Sequence, residues 1–408
     1  MKNSTAPDIL ITGVGVTSAC GVGKDAFLAG LLAAKNSYGV MQRPGRQRGS
    51  QFLGAELAAL DAQGLTCMQG IRRASFAAQV AALTLHEAWR DARLDSVDPA
   101  RIGLVIGGSN LQQRDLVQAV EAHGSRPQYM RPTYALTFMD TDVCGICTQA
   151  FGIRGAASTV GGASASGHIA VVHAMQALRD GQVDFCIAVG GLMDVSYLEC
   201  HAFRSIGAMG SDRYADAPAL ACRPFDRQRD GFIYGEACGA IVLERATSAG
   251  RDGVTPYARV SGHSVVMDGN RNPDPSYDGE VRAIRTALSQ ARIDAAHIEY
   301  VNPHGSGSVV GDETELRALA CCGLTHAWIN ATKSITGHGL SAAGALEIVA
   351  TVLQMRAGVL HPTRNLEEPI DPGFNWVSAQ PVAVKVRRAL NLSFGFGGIN
   401  SAICLEGL

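Results

Sequence analysis

The sequence predicts an α/β protein assembled from two similar halves, and three observations carry that reading. First, Ala92-Arg93-Leu94-Asp95 leads into Arg101-Ile102-Gly103-Leu104-Val105, and Ala291-Arg292-Ile293-Asp294 leads into His297-Ile298-Glu299-Tyr300-Val301. Each is a helix exit, a short turn and a strand, in that order. Second, a Gly-His step opens a small-residue helix in each half, at Gly167-His168 and at Gly337-His338. Third, extended Ala157-Ser158-Thr159-Val160 runs through the turn Gly161-Gly162-Ala163-Ser164-Ala165-Ser166 into an apolar helix over 169–178, stopped by Arg179-Asp180-Gly181. Repeated helix–strand units argue for duplication, with active-site loops at strand ends. The halves are expected over 1–250 and 251–408.

Composition narrows the class. The chain has 408 residues, 47% of them hydrophobic, enough for a large core. A net charge of −2 with interspersed signs gives no electrostatic case for nucleic acid or a membrane surface. Eleven cysteines at irregular spacing, without a CxxC framework, fit reduced thiols and predict a cytoplasmic location. Adjacent Cys321 and Cys322 read as core. No metal-ligand spacing and no nucleotide loop are present, so neither metal nor cofactor is expected.

In chain order, residues 1–8 are short and polar, and 9–16 form a first strand broken by glycines, not a signal peptide. No run reaches the roughly eighteen uninterrupted apolar residues of a membrane span. The turn Cys20-Gly21-Val22-Gly23 precedes a helix over 24–34. Residues 36–51, rich in Gly, Arg and Ser, read as an exposed loop. A helix over 74–92 leads to a strand over 102–106. The charged, turn-rich stretch 223–232 precedes a strand over 239–244. It and the loop 268–273 are solvated connections or functional loops. A helix over 340–353 contains Glu347.

The turn at 161–167 places Ser164 at a helix N-terminus, beside free N–H groups and the positive dipole end. Taken alone it is a packing turn as readily as an acyl-handling elbow. Three further stretches supply partners: His304 among glycines in Val301-Asn302-Pro303-His304-Gly305-Ser306-Gly307, Lys333 and His338 in Thr332-Lys333-Ser334-Ile335-Thr336-Gly337-His338, and the loop Ser393-Phe394-Gly395-Phe396-Gly397-Gly398-Ile399-Asn400. A buried Lys333 requires a partner, and Glu347 is the natural one. The glycines of the last loop let a backbone N–H face a ligand, as an oxyanion donor must. Together these residues describe a thioester-processing site.

Over essentially its whole length the chain resembles the β-ketoacyl-acyl carrier protein synthases, condensing enzymes of the thiolase fold. The resemblance rests on the three second-half motifs just quoted, with Gly311-Asp312, and on Arg223-Pro224-Phe225-Asp226 through Asp230-Gly231-Phe232. It implies a thiolase-like arrangement of layers α-β-α-β-α and a substrate carried on the phosphopantetheine of an acyl carrier protein. It also implies a homodimer buried through the strand leading into the elbow. Catalytic positions carry over to Ser164, His304, His338 and Lys333. The oxyanion hole and pocket carry over to Ser164, Phe396 and Gly397, with Glu347 and Phe394 in support. His168 and His173 read as packed, and Asp140 and Asp142 as a polar turn or subunit contact.

One position departs from the family: Ser164 stands where condensing enzymes carry a nucleophilic cysteine. A thiol near pKa ~8.5 ionises at a helix N-terminus, whereas a hydroxyl needs an adjacent base. Decarboxylation needs only donors for the enolate oxygen, and His304 and His338 supply them. The expectation is a ketosynthase-like decarboxylase that makes acetyl- from malonyl-acyl carrier protein, similar to the serine-containing homologues that act beside an HMG-CoA-synthase-like partner in polyketide β-branching. Val189-Gly190-Gly191-Leu192-Met193-Asp194 also departs from the elongating pattern. Two alternatives are a synthase condensing through an acyl-Ser164 oxyester and a non-catalytic partner subunit like a chain-length factor.

Overall fold

The computed structural model describes residues 8–60, 71–248 and 251–408. The polar start at 1–7 and the expected boundary at 250 lie outside the described residues. In the first half, strands β1 (Ile9–Ser18), β2 (Ile102–Gly107), β3 (Ala157–Val160), β4 (Phe185–Gly190) and β5 (Ala237–Arg245) lie in the order β1-β5-β4-β2-β3. In the second, β6 (Ala258–Met267), β7 (Tyr300–Asn302), β8 (Trp328–Ile329), β9 (Arg388–Gly395) and β10 (Ile399–Glu406) lie in the order β6-β10-β9-β7-β8. Each half therefore runs first, fifth, fourth, second, third. The halves join where β1 and β6 pair antiparallel, Ile9 opposite Val260.

Five helices complete the layers: α1 (Phe76–Asp91), α2 (Ser166–Arg179), α3 (Tyr277–Ala291), α4 (Val309–Cys321) and α5 (Ala343–Ala357). Helix α1 covers β1 and β5, and α3 covers β6 and β10 with α4 beside it. Between the half-sheets, α2 packs on β2 and β4 and touches α5, which packs on β5 and β9. This is the expected α-β-α-β-α stack. A central helix must be apolar all round, and every residue from Ala343 to Met355 is buried. Leu340–Ala357 is apolar enough by length and composition to cross a membrane, yet 89% of it is buried in the protein, as a core helix is.

The duplication reaches atomic detail. The register of β1 against β5 slips between Ile11 and Gly13, and that of β6 against β10 between Val260 and Gly262. A Cβ at Gly13 would lie 2.6 Å from Ala92 Cβ, and one at Gly262 would lie 2.8 Å from Ala291 Cβ. Each half thus seats its outer helix on a bulge glycine, which permits close approach. The chain then leaves both helices through a left-handed arginine, Arg93 (φ 51°) and Arg292 (φ 56°). The Ala-Arg-Leu/Ile-Asp repeat marks this shared exit.

Three expectations need correction. Residues 36–51 are an exposed loop only in part: Tyr38–Val40 pairs with Leu53–Ala55, and Arg46 is fully buried between Asp194 and Glu236, each 2.7 Å away. Carboxylates from distant segments neutralise a charge that looked solvated in sequence. Of the two readings left open for 223–232, the solvated connection is excluded, since Asp226 is buried and accepts backbone N–H groups of Gln228, Glu367 and Glu368 at 2.9 Å each. Cys321 is exposed on the outer side of α4 while Cys322 is buried, and His173 is exposed, not packed.

Candidate active site

Ser164 sits on the turn between β3 and α2, and its backbone is held from three sides. Ala163 adopts φ 47°, a left-handed conformation uncommon for a residue with a Cβ. Ser166 locks the turn: its Oγ donates to Ala163 O at 2.7 Å and accepts from Gly162 N at 2.9 Å. Ser393 Oγ donates to Ser164 O at 3.0 Å. Gly395 closes the loop against the same turn, since a Cβ there would lie 2.4 Å from Gly162 O and 3.3 Å from Ser164 N. The elbow is therefore rigid and presents its hydroxyl to a cavity of about 380 Å³.

His338 and His304 line that cavity with Ser164. Their rings meet edge to face, centroids 5.4 Å apart. Burial first, and then the Lys333 charge, push His338 well below the usual imidazole range, so the ring is neutral. Its Nδ1 accepts from Leu340 N at 3.1 Å, which places the remaining proton on Nε2. Leu340 takes φ 51° to aim that N–H. His338 Nε2 lies 3.1 Å from Ser164 Oγ, so the imidazole donates and the hydroxyl accepts.

His304 is likewise lowered by burial and by Lys333. The Lys333 ammonium stands 3.5 Å from His304 Nδ1, hydrogen-bonds the His304 carbonyl, and pairs with Glu347 at 2.6 Å. Lys333 and Glu347 are each 1% exposed, so neither charge is tolerable without the other. With the ammonium on the Nδ1 side, the His304 proton is on Nε2. Glu315, unremarked in the sequence, fixes this loop by accepting His304 N at 2.6 Å and Gly305 N at 2.8 Å. Tyr38, inside the supposed exposed loop, donates to Lys333 O and accepts from Gly337 N, both at 2.8 Å.

The other expected residues divide. Phe394 packs 5.6 Å from the His304 ring, and Phe396 stands at the cavity 6.3 Å from Phe203. Gly397 is a correction: Gly395, Phe396 and Gly398 line the cavity, but Gly397 does not, and its φ of 90° serves the turn between β9 and β10. His168 is packed as expected, between Asn391 at 2.9 Å and Ser401 at 3.2 Å. Asp140 accepts from Asn110 N at 3.0 Å, a polar turn contact. Among the described residues no cluster of His, Cys, Asp and Glu is arranged to hold a metal.

Known proteins share both sequence and fold. The chain is 54% identical over 408 residues to the polyketide biosynthesis malonyl-ACP decarboxylase PksF of Bacillus subtilis (strain 168), covering 100% of this chain and 98% of that one. It is 29% identical to 3-oxoacyl-[acyl-carrier-protein] synthase 2 of Coxiella burnetii, covering 98% of each. Among solved structures, the ishigamide ketosynthase/chain length factor superposes with TM-score 0.90 at 27% identity, over 99% of this chain and 100% of that one. AntDE, a ketosynthase solved with the type II PKS acyl-carrier protein AntF, superposes with TM-score 0.85 at 26% identity, over 99% of this chain and 100% of the matched one. Beta-ketoacyl synthase N-terminal and C-terminal domains match residues 6–249 and 257–367, and the chain belongs to the beta-ketoacyl synthase family.

Proposed function

We propose that this protein is a ketosynthase-family decarboxylase that converts malonyl-acyl carrier protein to acetyl-acyl carrier protein and carbon dioxide in polyketide β-branching. One observation carries the reading: the imidazole beside Ser164 has its only acceptor nitrogen occupied by Leu340 N–H. His338 cannot take the Ser164 proton, so the hydroxyl has no base and does not become a nucleophile. The same tautomer is the one needed to donate to an oxyanion. The relative named as a malonyl-ACP decarboxylase, at 54% identity, supports the same conclusion.

The chemistry follows from the donors. The bond from the malonyl carbon to its carboxylate breaks, and its electron pair moves toward the thioester carbonyl as carbon dioxide leaves. Negative charge gathers on the thioester oxygen, where Nε2–H groups of His304 and His338 meet it. Each such donor stabilises the transition state by about 3 kcal/mol. Lys333, balanced by Glu347, orients His304 without delivering a proton to it. The enolate carbon then takes a proton to become the acetyl methyl.

Partners follow from the same reading. The substrate arrives on the phosphopantetheine of an acyl carrier protein, and no further cofactor is required. A homodimer forms through β3, whose Ala157 and Ser158 are exposed at the sheet edge. An HMG-CoA-synthase-like enzyme consumes the acetyl product, and the setting is cytoplasmic. The test is incubation of the purified protein with malonyl-carrier protein and an acetyl primer. Acetyl-carrier protein without acetoacetyl product supports decarboxylation. A stable oxyester on Ser164 with condensed product establishes the condensing alternative, and turnover only beside an active ketosynthase establishes the partner-subunit alternative.

A further inference from the structure

A condensing enzyme spends its enolate on a carbon–carbon bond, but a decarboxylase must protonate it, and neither imidazole has a proton to give up cheaply while stabilising the oxygen. The cavity holding Ser164 and His304 has an acidic wall formed by Asp268, Glu280, Asp312 and Glu315. Three of these carboxylates are supplied with donors. Asp268 receives Asn400 Nδ2 at 3.0 Å on each oxygen. Asp312 receives Phe225 N at 2.6 Å and Gly307 N at 3.0 Å. Glu315 receives the N–H groups of His304 and Gly305. Glu280 is different: it is 1% exposed, and its Oε2 has no partner.

We propose that Glu280 is the acid that protonates the enolate carbon, which deepens the decarboxylase reading and rests on it. The geometry is a buried, unpaired carboxyl in the wall of the reaction cavity, at the first turn of α3. Burial, then Glu315, Asp268 and Asp312, hold it well above the usual carboxylate range. The cations of this wall pair with its other carboxylates, Arg229 3.7 Å from Asp312 and Arg282 4.0 Å from Asp268. The helix N-terminus favours the anion, but burial, with the acidic neighbours second, outweighs it. Glu280 therefore keeps its proton at neutral pH. Burial also pushes Glu315 up to about 8, but both Glu315 oxygens are engaged by the His304 and Gly305 N–H groups, whereas the Glu280 carboxyl is free to give its proton to the cavity. In the step, the Glu280 O–H bond breaks and the third methyl C–H bond forms. The electron pair stays on the carboxylate, which takes a proton from solvent before the next turnover.

The test compares wild type, Glu280→Gln and Glu280→Ala, following acetyl-carrier protein formation from malonyl-carrier protein. Wild-type turnover is the control: its absence sinks the decarboxylase reading itself, before Glu280 is at issue. Glu280→Gln is expected to fold normally, to bind substrate unchanged and to turn over about 10²-fold more slowly. Wild-type rate should fall as pH rises through the raised Glu280 pKa, and the Gln variant should lose that alkaline limb. Formate added to Glu280→Ala should restore rate, which a merely structural side chain would not allow. A Gln variant within twofold of wild type with the same pH profile, or an Ala variant deaf to formate, overturns the proposal. If the Gln variant does not fold, the formate response of the Ala variant decides.

Discussion

Replacing Lys333 by Met removes one half of a fully buried ion pair while keeping a long apolar stem. Glu347 is then left on α5, 1% exposed, with its Oε1 deprived of a donor at 2.6 Å and its Oε2 already unpartnered. A carboxylate cannot remain ionised there, so it binds a proton. Relative to its ordinary pKa of 4.5, carrying that proton at pH 7.5 costs the variant about 4 kcal/mol, three pH units at about 1.4 each. In the wild type burial already pushes Glu347 up to about 7 against the pull of Lys333, so the two proteins diverge only above about pH 7. The sign is set by a folded-state pKa above the unfolded one: the group's penalty is absent below pH 4.5 and grows as pH rises. Urea unfolding of Lys333→Met, followed by tryptophan fluorescence, should show a deficit against wild type that grows by about 1.4 kcal/mol for each pH unit above about 7 and is level below it. The double variant Lys333→Met/Glu347→Leu should recover most of the loss, because a well-packed apolar pair often replaces a buried ion pair at little cost. It should remain slow in decarboxylation, since His304 loses its orienting ammonium. A deficit that stays flat as pH rises above about 7 refutes the buried-pair account.

Other substitutions test separate contacts. His304→Ala and His338→Ala should each lower decarboxylation about 10²- to 10³-fold, and together by less than the product, read by carbon dioxide release. Ser164→Ala should keep turnover within about tenfold, the value of one hydrogen bond, while Ser164→Cys should gain an acetyl group on the new thiol, seen by intact mass. Gly395→Ala drives a Cβ to 2.4 Å from Gly162 O and should cost about 1–3 kcal/mol in stability along with most activity. Tyr38→Phe strips the partner from buried Gly337 N and should cost about 1–3 kcal/mol by chemical denaturation.

The duplicated fold and the central residues were legible because they follow local rules. Ser164, His304 and His338 each stand beside glycines at turns, and the repeated Ala-Arg-Leu/Ile-Asp exits announced two equivalent helices. Lys333 was readable as a buried charge in need of Glu347. What stayed hidden depends on long-range closure. Tyr38 reaches Lys333 across 295 positions, and Arg46 reaches Asp194 across 148, so a segment with loop composition becomes internal structure. Glu315 and Glu280 lie on outer helices, where an acidic residue reads as solvent-facing. Only packing shows that the first caps the His304 loop and the second faces the cavity. Gly397 is not separable from its neighbours in sequence because the three glycines of this short loop look alike there, while φ and contact distinguish them.

The central claim concerns which atom forms a bond to the acyl group. The decisive measurement is intact mass spectrometry of both proteins in one reaction, sampled from the first turnover with malonyl-carrier protein. The account predicts that the carrier loses its terminal carboxyl while this chain never changes mass. An acyl adduct on Ser164 that appears and decays in step with acetoacetyl-carrier protein would contradict it.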